Sequence, residues 1–206
     1  VRTLVVVAHP DEHSLTRAVA DRLVDALSED GHDVDVADLH AEGFDPRFTL
    51  ADRRRYRAEG PLPDDIAAEQ RRIDRADHLV LLFPVYWWSM PAMLKGWVDR
   101  VFVNGWAFDD TTTPMTRKLG GLTVHLLMVG GEDAAGYRKR GYDSAIDTQM
   151  RVGIIGYCGA RAGASEYVFD AESRPRAEVA RDVTAAVEAV STAVRTARRD
   201  TAGQPV

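Results

Sequence analysis

Residues 78–102 read HLVLLFPVYWWSMPAMLKGWVDRVF. The first six, His78 to Phe83, form a short and almost unbroken apolar run. Such a run, bounded by turn residues, predicts a strand buried on both faces, as strands in parallel sheets are. Pro84 follows it, and Pro91 is expected in the first turn of a helix that runs through Leu94, Val98, Val101 and Phe102. A strand leading through a loop into a helix is the unit from which α/β proteins with parallel sheets are assembled.

The unit recurs on both sides. Thr3 to Ala8 (TLVVVA) predicts another buried strand. Ser14 then caps a helix that carries Leu15, Ala18, Val19, Leu23 and Leu27 on one face, with Gly31 closing it. Asp33 to Leu39 alternates polar and apolar residues, which suits a strand nearer an edge. Residues 41–63 read as irregular, punctuated by Gly43, Pro46, Gly60, Pro61 and Pro63. A helix from about Asp64 to Ala76 precedes the His78 strand. Leu122 to Val129 is a third buried strand, ending at Gly130-Gly131. A helix from about Ser144 to Tyr157 and a short strand from Glu166 to Phe169 follow. The long helix from Ser173 to Arg199 has Val179, Val183, Val187, Val190 and Val194 as its inner stripe. Five strands alternating with five helices predict an α/β, flavodoxin-like, doubly wound five-stranded parallel sheet of order 2-1-3-4-5 with right-handed crossovers. A single domain over residues 1–206 is expected. Ligands of such sheets bind beyond the carboxyl ends of the strands, at the switch point between strands 1 and 3. Functional residues are therefore expected just after Ala8, Phe83 and Val129.

Composition narrows the chemistry. With 26 basic and 32 acidic residues the net charge is −6, which argues against a general nucleic-acid binder. The one cysteine, Cys158, excludes a disulfide framework or a multi-thiolate metal cluster and fits a reducing compartment. The longest apolar stretch, Leu79 to Leu94, is interrupted by Pro84 and Pro91 and is too short to span a bilayer. Eight residues before His9 leave no room for a signal-peptide core. A cytoplasmic protein without an integral membrane segment is expected.

The three loops differ in how much they say. After strand 1 there is no GxGxxG and no GxxxxGK[ST], and the chain holds no GxSxG elbow. The loop from His9 to Thr16 instead opens a helix whose free N–H groups, with Ser14, Thr16 and a nearby imidazole, suit a phosphate; an ordinary capped helix start fits it equally well. The second loop, Pro84-Val85-Tyr86-Trp87-Trp88-Ser89-Met90, has three consecutive aromatics that one core face does not explain. They offer flat apolar surface to a planar ring system, and the positive end of the following helix faces the same place. A Trp-rich dimer contact is the competing reading and is compatible with the first. The third loop begins Gly130-Gly131 and carries Tyr137 and Tyr142. Paired glycines allow close backbone approach to a ligand, although alone this loop reads as a Gly-rich turn.

Taken together, Ala8-His9-Pro10 with Ser14, Asp38-Leu39-His40 with Gly43-Phe44-Asp45-Pro46, and the run from Phe83-Pro84 through Trp87, Pro91-Ala92, Leu94-Lys95-Gly96-Trp97 and Asp99-Arg100-Val101-Phe102 to Gly105-Trp106-Ala107-Phe108 resemble the flavodoxin-like NAD(P)H:quinone reductase family. That family includes the mammalian quinone reductases, bacterial modulators of drug activity and potassium-efflux ancillary proteins, and the resemblance covers nearly the whole chain. It implies FAD, or alternatively FMN, as cofactor, NADPH or NADH as electron donor, and a homodimer with the flavin at the interface. It also implies two-electron, ping-pong reduction of a quinone or similar acceptor at the site the nicotinamide has left. His9, Ser14, Leu15 and Thr16 match the contacts to the flavin phosphates and ribityl chain. Pro84, Val85, Tyr86, Trp87 and Trp88 match the segment whose backbone N–H groups meet the ring edge, and Met128, Val129, Gly130 and Gly131 match the third flavin-contacting segment. Tyr137 corresponds to a catalytic tyrosine near the reacting edge, allowing one extra loop residue. Phe108 falls where the mammalian enzymes place a tyrosine that borders the substrate from the neighbouring subunit, and Trp106, Phe108 and Tyr142 are the implied substrate-facing residues.

The chain also departs from the family. The mammalian enzymes pair their loop tyrosine with a histidine for proton transfer, and Asp143 stands there instead. Leu15-Thr16 replaces the Phe-Asn that follows the first serine, which blurs the distinction between FAD and FMN.

Two other functions compete. His9-Pro10-Asp11-Glu12 is similar to the His-Pro-Asp-Asp-Glu signature of zinc-dependent de-N-acetylases. Glu12 and His13 stand in place of its second Asp and its Glu, however, and the later paired histidines are missing. No metal is therefore expected, and His125, mid-strand, reads as a hydrogen-bonded core residue. The other alternative is a flavin-bearing regulatory subunit of a membrane transporter. Arg53-Arg54-Arg55-Tyr56-Arg57 reads first as a solvated helix face and second as a partner for the 2′-phosphate of NADPH. Cys158 reads as a buried, inert thiol. Arg195, Arg198 and Arg199 favour the dipole of the last helix and need no ligand.

Overall fold

Thr3, Leu4, Val5, Val6 and Val7 pair in register with His78, Leu79, Val80, Leu81 and Leu82, so the first and third predicted strands lie side by side and parallel. The structure, a computed structural model, describes residues 1–57 and 59–201, the side chains of residues 197–201 excepted. Its sheet contains β1 (Arg2–Val7), β2 (Asp33–Asp38), β3 (His78–Pro84), β4 (Thr123–Val129) and β5 (Arg161–Val168). All four pairings are parallel and the order is β2-β1-β3-β4-β5. This is the flavodoxin-like order expected from the strand spacing.

The central strands lack a polar face because each face is covered. Val5, Val7, Val80, Leu82 and Leu127 point to the layer formed by α1 (Leu15–Glu29) and α7 (Arg176–Thr201), where Leu23, Leu27 and the valine stripe of α7 are buried. Leu4, Val6, Leu79, Leu81, Phe83 and Met128 point to the opposite layer. That layer holds α3 (Asp64–Asp74) and α4 (Ala92–Val101), with Trp97 fully buried and its Nε1 donating to Glu69 at 2.8 Å. Period-two alternation thus survives in the strands as a choice between two apolar layers.

Several boundaries differ from expectation. Residues 41–63, read as irregular, contain α2 (Leu50–Tyr56), which begins with a capping box between Thr49 and Asp52. Asp52 is buried and receives Arg100 Nε at 3.1 Å, so this short polar helix is held by a buried ion pair rather than by an apolar stripe. The Gly-rich third loop contains α5 (Ala134–Arg140), capped by Asp133 and ended by Gly141 at φ +73°. The helix expected over Ser144 to Tyr157 is α6 (Tyr142–Asp147) continuing as a π-helical segment, Thr148–Gly156. Pro91 caps α4 from just outside its first turn. The last strand begins at Arg161, five residues before the predicted Glu166, and stops at Val168, before Phe169. Its small residues hide it: β5 pairs with β4 through a register shift beside His125, and a Cβ on Gly163 would lie 2.4 Å from His125 Nδ1. His125 is the hydrogen-bonded core residue expected, its Nδ1 accepting from Ala164 N at 3.0 Å. Cys158 is buried, as expected, and burial pushes its thiol up to about 11. On α7, Arg195 pairs with Asp30 and Glu188; the side chains of Arg198 and Arg199 lie outside the described residues.

Candidate functional site

Backbone bonds carry the ladder beyond the strands and bring the three loops together. Ala8 N donates to Leu82 O at 3.1 Å, Val85 N to Val129 O at 2.8 Å, and Gly130 N to Val168 O at 2.9 Å. Ala8, Val85 and Gly130 consequently stand in a row at the carboxyl edge, where a doubly wound sheet binds ligands.

The first loop is organised by its own polar groups. Asp11 N donates to His9 Nδ1 at 3.0 Å, and His13 N to the Asp11 carboxylate at 2.8 Å. The same Nδ1 also lies 3.2 Å from the Asp11 carbonyl, so the loop holds the ring through Nδ1. Ser14 caps α1 through Arg17 N, which leaves the Leu15 and Thr16 N–H groups at the positive end of a four-turn helix. Two free N–H groups beside an imidazole are a set suited to phosphate oxygens. Among the described residues no group of three or more His, Cys, Asp or Glu is placed to hold a metal ion.

The second loop is a tight hairpin turn. Tyr86 and Ser89 exchange backbone hydrogen bonds of 3.0 and 3.1 Å, and the residues between them, Trp87 and Trp88, have φ +50° and +53°. Two positive φ values define a type I′ turn, which favours Asn-Gly and penalises large side chains. Two tryptophans held there are backbone strain at a strand end, a feature that clusters at ligand sites. Trp87 is 88% exposed. Trp88 stacks on Tyr142, ring centroids 4.2 Å apart, and Ser89 Oγ bonds Gln149 at 2.7 Å, which ties the turn to the π-helical segment.

The third loop lies against the second. Gly130 has no room for a side chain, since a Cβ there would be 2.9 Å from Tyr137 Oη. Tyr137 is 2% exposed, edge-on to Tyr142, Tyr167 and Phe169 at 5.0–6.0 Å. Burial, aided by the Glu132 charge, pushes its hydroxyl up to about 12. Burial likewise raises Tyr167, with Tyr137 next among the causes. Both phenols are therefore protonated near neutrality.

Val85, Trp87, Trp88, Gly131, Glu132 and Tyr137 line one open cleft of about 230 Å³. Pro84 and Met128, at the ends of β3 and β4, are buried and Tyr86 is exposed; none of the three lines the cleft. The first loop borders a separate groove of about 670 Å³ between α1 and α7, where Ser14 and Leu15 face Arg22, Arg174 and Arg176. Trp106 and Phe108 are not brought to the cleft: Trp106 Nε1 donates to Asp74 at 3.0 Å, and Phe108 is buried edge-on to Tyr157 at 5.1 Å. Asp143 accepts from Ser144 N and makes no hydrogen bond to Tyr137. Sequence reasoning missed Glu132, Tyr167, Phe169 and Gln149. The Tyr-x-Phe spacing at the end of the last strand was the available signal for two of them, since period two puts both rings on one face.

A flavin fits the donor set. The Trp87 and Trp88 amides make no hydrogen bond among the described residues, and the same holds for Gly131. They supply N–H groups to a ring edge beside flat aromatic surface, while the α1 terminus supplies them to phosphate. No helix among the described residues is long and apolar enough to cross a membrane.

Comparison with known proteins agrees with this geometry. The sequence model of the flavodoxin-like fold family matches residues 1–193. The ribosyldihydronicotinamide dehydrogenase [quinone] of Pongo abelii is 31% identical over 191 residues, covering 83% of this chain and 82% of its own. Among solved structures, the NAD(P)H:quinone oxidoreductase from Methanothermobacter marburgensis superposes with a TM-score of 0.84 at 25% identity, over 91% of this chain and 96% of that one. General stress protein 14 of Treponema denticola, solved in complex with FMN, gives a TM-score of 0.64 at 27% identity over 91% and 96%. With its sheet order, its switch-point cleft and nearly its whole length matched, this chain belongs to the flavodoxin-like quinone reductase family.

Proposed function

We propose that this chain is a flavin-dependent NAD(P)H oxidoreductase that reduces quinones or similar planar acceptors by two electrons. The observation that carries the reading is the switch-point cleft, where two tryptophans are held in a strained turn opposite a glycine that a buried tyrosine keeps bare. Bound flavin supplies the redox chemistry, accepting two electrons from the nicotinamide and passing them on. The chain's own residues do the rest. The Trp87, Trp88 and Gly131 amides and the α1 terminus orient the ring and its phosphate, with the His9 ring beside that terminus. The N–H groups of the turn, with the positive end of α4, favour the electron-rich ring over the oxidised one. Tyr137 borders the cleft with its proton retained, which supports a role for it as hydrogen-bond donor to a reacting oxygen. One small cleft serves donor and acceptor in turn, which gives ping-pong kinetics.

FAD is the preferred cofactor of this reading. The groove between α1 and α7 continues from the phosphate-binding loop and offers Arg22, Arg174 and Arg176 beside the apolar Val179 and Val183. That lining suits an ADP moiety, which FMN lacks. We further propose a single domain over residues 1–206 acting as a cytoplasmic homodimer, with Trp106 and Phe108 facing the substrate of the partner subunit.

The test is direct. The purified protein should be yellow, release FAD on heating, and reduce a quinone with parallel-line kinetics when donor and acceptor are varied. A colourless protein that takes up neither FAD nor FMN overturns the reading; release of FMN alone overturns the assignment of the α1–α7 groove.

A further inference from the structure

Among the described residues that line the switch-point cleft, Val85, Trp87, Trp88, Gly131 and Tyr137 are uncharged, and the carboxylate of Glu132 is the one charged group. Its position is built into the loop. The Glu132 carbonyl accepts from Asp170 N at 3.1 Å, which fixes the backbone against the segment after β5. The side chain lies over the first turn of α5, where Gly136 leaves room for it: a Cβ on Gly136 would stand 2.7 Å from the carboxyl carbon. Glycine inside a helix is destabilising, and here the bare position is filled by the carboxylate. Arg140, one turn further along α5, holds the same carboxylate through Nη1. Arg140 does not itself line the cleft. Its guanidinium carbon sits 6.0 Å from the Tyr142 ring centroid, and Tyr142 stacks on Trp88. The carboxylate is thus braced from outside the cleft, by a part-exposed partner that brings no positive charge into it.

The charge reaches its neighbours, since Glu132 is among the causes that raise the Tyr137 hydroxyl. Trp106 and Phe108, which the dimer reading turns toward the substrate of a second copy, add no charge of their own. An anion between aromatic walls and a carboxylate meets repulsion that water screens poorly, whereas a neutral ring meets none. We propose that Glu132 sets the charge selectivity of the cleft, admitting neutral planar acceptors and rejecting anionic ones. Rings that carry a carboxylate, a sulfonate or an ionised hydroxyl are the excluded class. The assignment rests on the quinone-reductase reading for its substrate and narrows that substrate by charge.

Titration calorimetry of the flavin-loaded protein without nicotinamide tests this in the absence of turnover. The probes are hydroxynaphthoquinone, an anion at neutral pH, and its neutral methoxy ether, which differ by little more than the charge. The ether should bind about tenfold more tightly. Glu132→Gln should bring the two affinities close to equal, and Asp25→Asn, which removes an exposed carboxylate from α1, should leave their ratio at the parent value. Arg140→Gln keeps the carboxylate and removes its counter-charge, so there the ratio should widen. The kcat/KM values for the two quinones should move in the same sense. Equal affinities in the parent chain overturn the proposal, as does a ratio that Glu132→Gln leaves unchanged. A narrowed ratio in Arg140→Gln overturns it as well, and that variant decides the matter should Glu132→Gln fail to fold. A protein that takes up no flavin sinks the oxidoreductase reading instead, while the same titration of the unloaded chain still decides whether the carboxylate sorts ligands by charge.

Discussion

The hydroxyl of Tyr137 lies 2.9 Å from the point where a Cβ on Gly130 would stand, so the bare backbone at the end of β4 and the buried phenol define each other. Tyr137 cannot retreat, because Tyr142, Tyr167 and Phe169 surround its ring. Gly130→Ala should therefore cost about 2 kcal/mol of stability by overpacking and weaken flavin binding as the loop shifts. Adding Tyr137→Phe removes the offending oxygen and should restore most of both. Denaturant midpoints and flavin titration check it; additive losses in the double variant would show that the two residues are not coupled in this way.

Tyr137→Phe alone separates packing from chemistry. The ring stays, so stability should change little, whereas quinone turnover should fall at least tenfold if the hydroxyl supports the reacting oxygen. With its pKa pushed up to about 12, the hydroxyl keeps its proton across the working range. The wild-type rate should accordingly show no inflection from this group between about pH 6 and 9. An unchanged turnover in the variant removes the role.

What the sequence made legible follows from burial. The four strands β1, β2, β3 and β4 announce themselves because their residues face one or two apolar layers, and α1, α4 and α7 because each buries a continuous stripe. β5 was located late because Arg161 to Ser165 are small or polar and its pairing is shifted around His125. α2 was invisible because Asp52, its one buried side chain, answers Arg100, a partner 48 residues away that no local pattern reveals. The cleft followed the same division. Trp87, Trp88 and Gly130 follow strand ends and could be placed by topology, whereas the contacts of Glu132, Tyr167 and Phe169 depend on how α5 folds back over β5.

Asp52 gives a prediction about that hidden helix. Arg100 is 5% exposed and Asp52 2%, and Arg100 also holds Asp65 at 2.8 Å and the Asp45 carbonyl at 2.7 Å. Asp52→Ala leaves a buried guanidinium short of charge and removes half of the capping box. The expected loss is about 3 kcal/mol, with α2 becoming the first segment to exchange its amide protons. Mass-resolved hydrogen exchange that finds α2 as protected as in the parent chain would refute it.

The Trp87–Trp88 turn should show stability and function pulling apart. Asn tolerates the left-handed region that Trp87 occupies at φ +50°. Because the Trp87 ring is almost wholly exposed, its removal forfeits little burial. Trp87→Asn should raise stability by about 0.5–1 kcal/mol and at the same time weaken flavin affinity by removing flat surface from the cleft. A variant that loses both stability and affinity would mean that the strain is not held for the ligand.

His78 and His125 should set the acid side of the stability profile. Their Nδ1 and Nε2 atoms are 2.9 Å apart, both residues are buried, and desolvation lowers each to about 4 from an ordinary 6.5. His125 Nδ1 already accepts from Ala164 N, so the neutral pair has one arrangement: His125 Nε2–H donates to His78 Nδ1. A second proton on either ring has no acceptor between them. The unfolded chain binds protons at these positions below about pH 6.5, and the folded chain only near 4. Stability contributed by the neutral pair is thus complete above about pH 6.5, declines as pH falls through the interval, and is gone near pH 4. Each shift is worth on the order of 3 kcal/mol. Urea midpoints should drop between pH 7 and 5, and His78→Asn should flatten that slope even if it lowers the midpoint at neutral pH. An equal slope in the variant would place the acid sensitivity elsewhere in the chain.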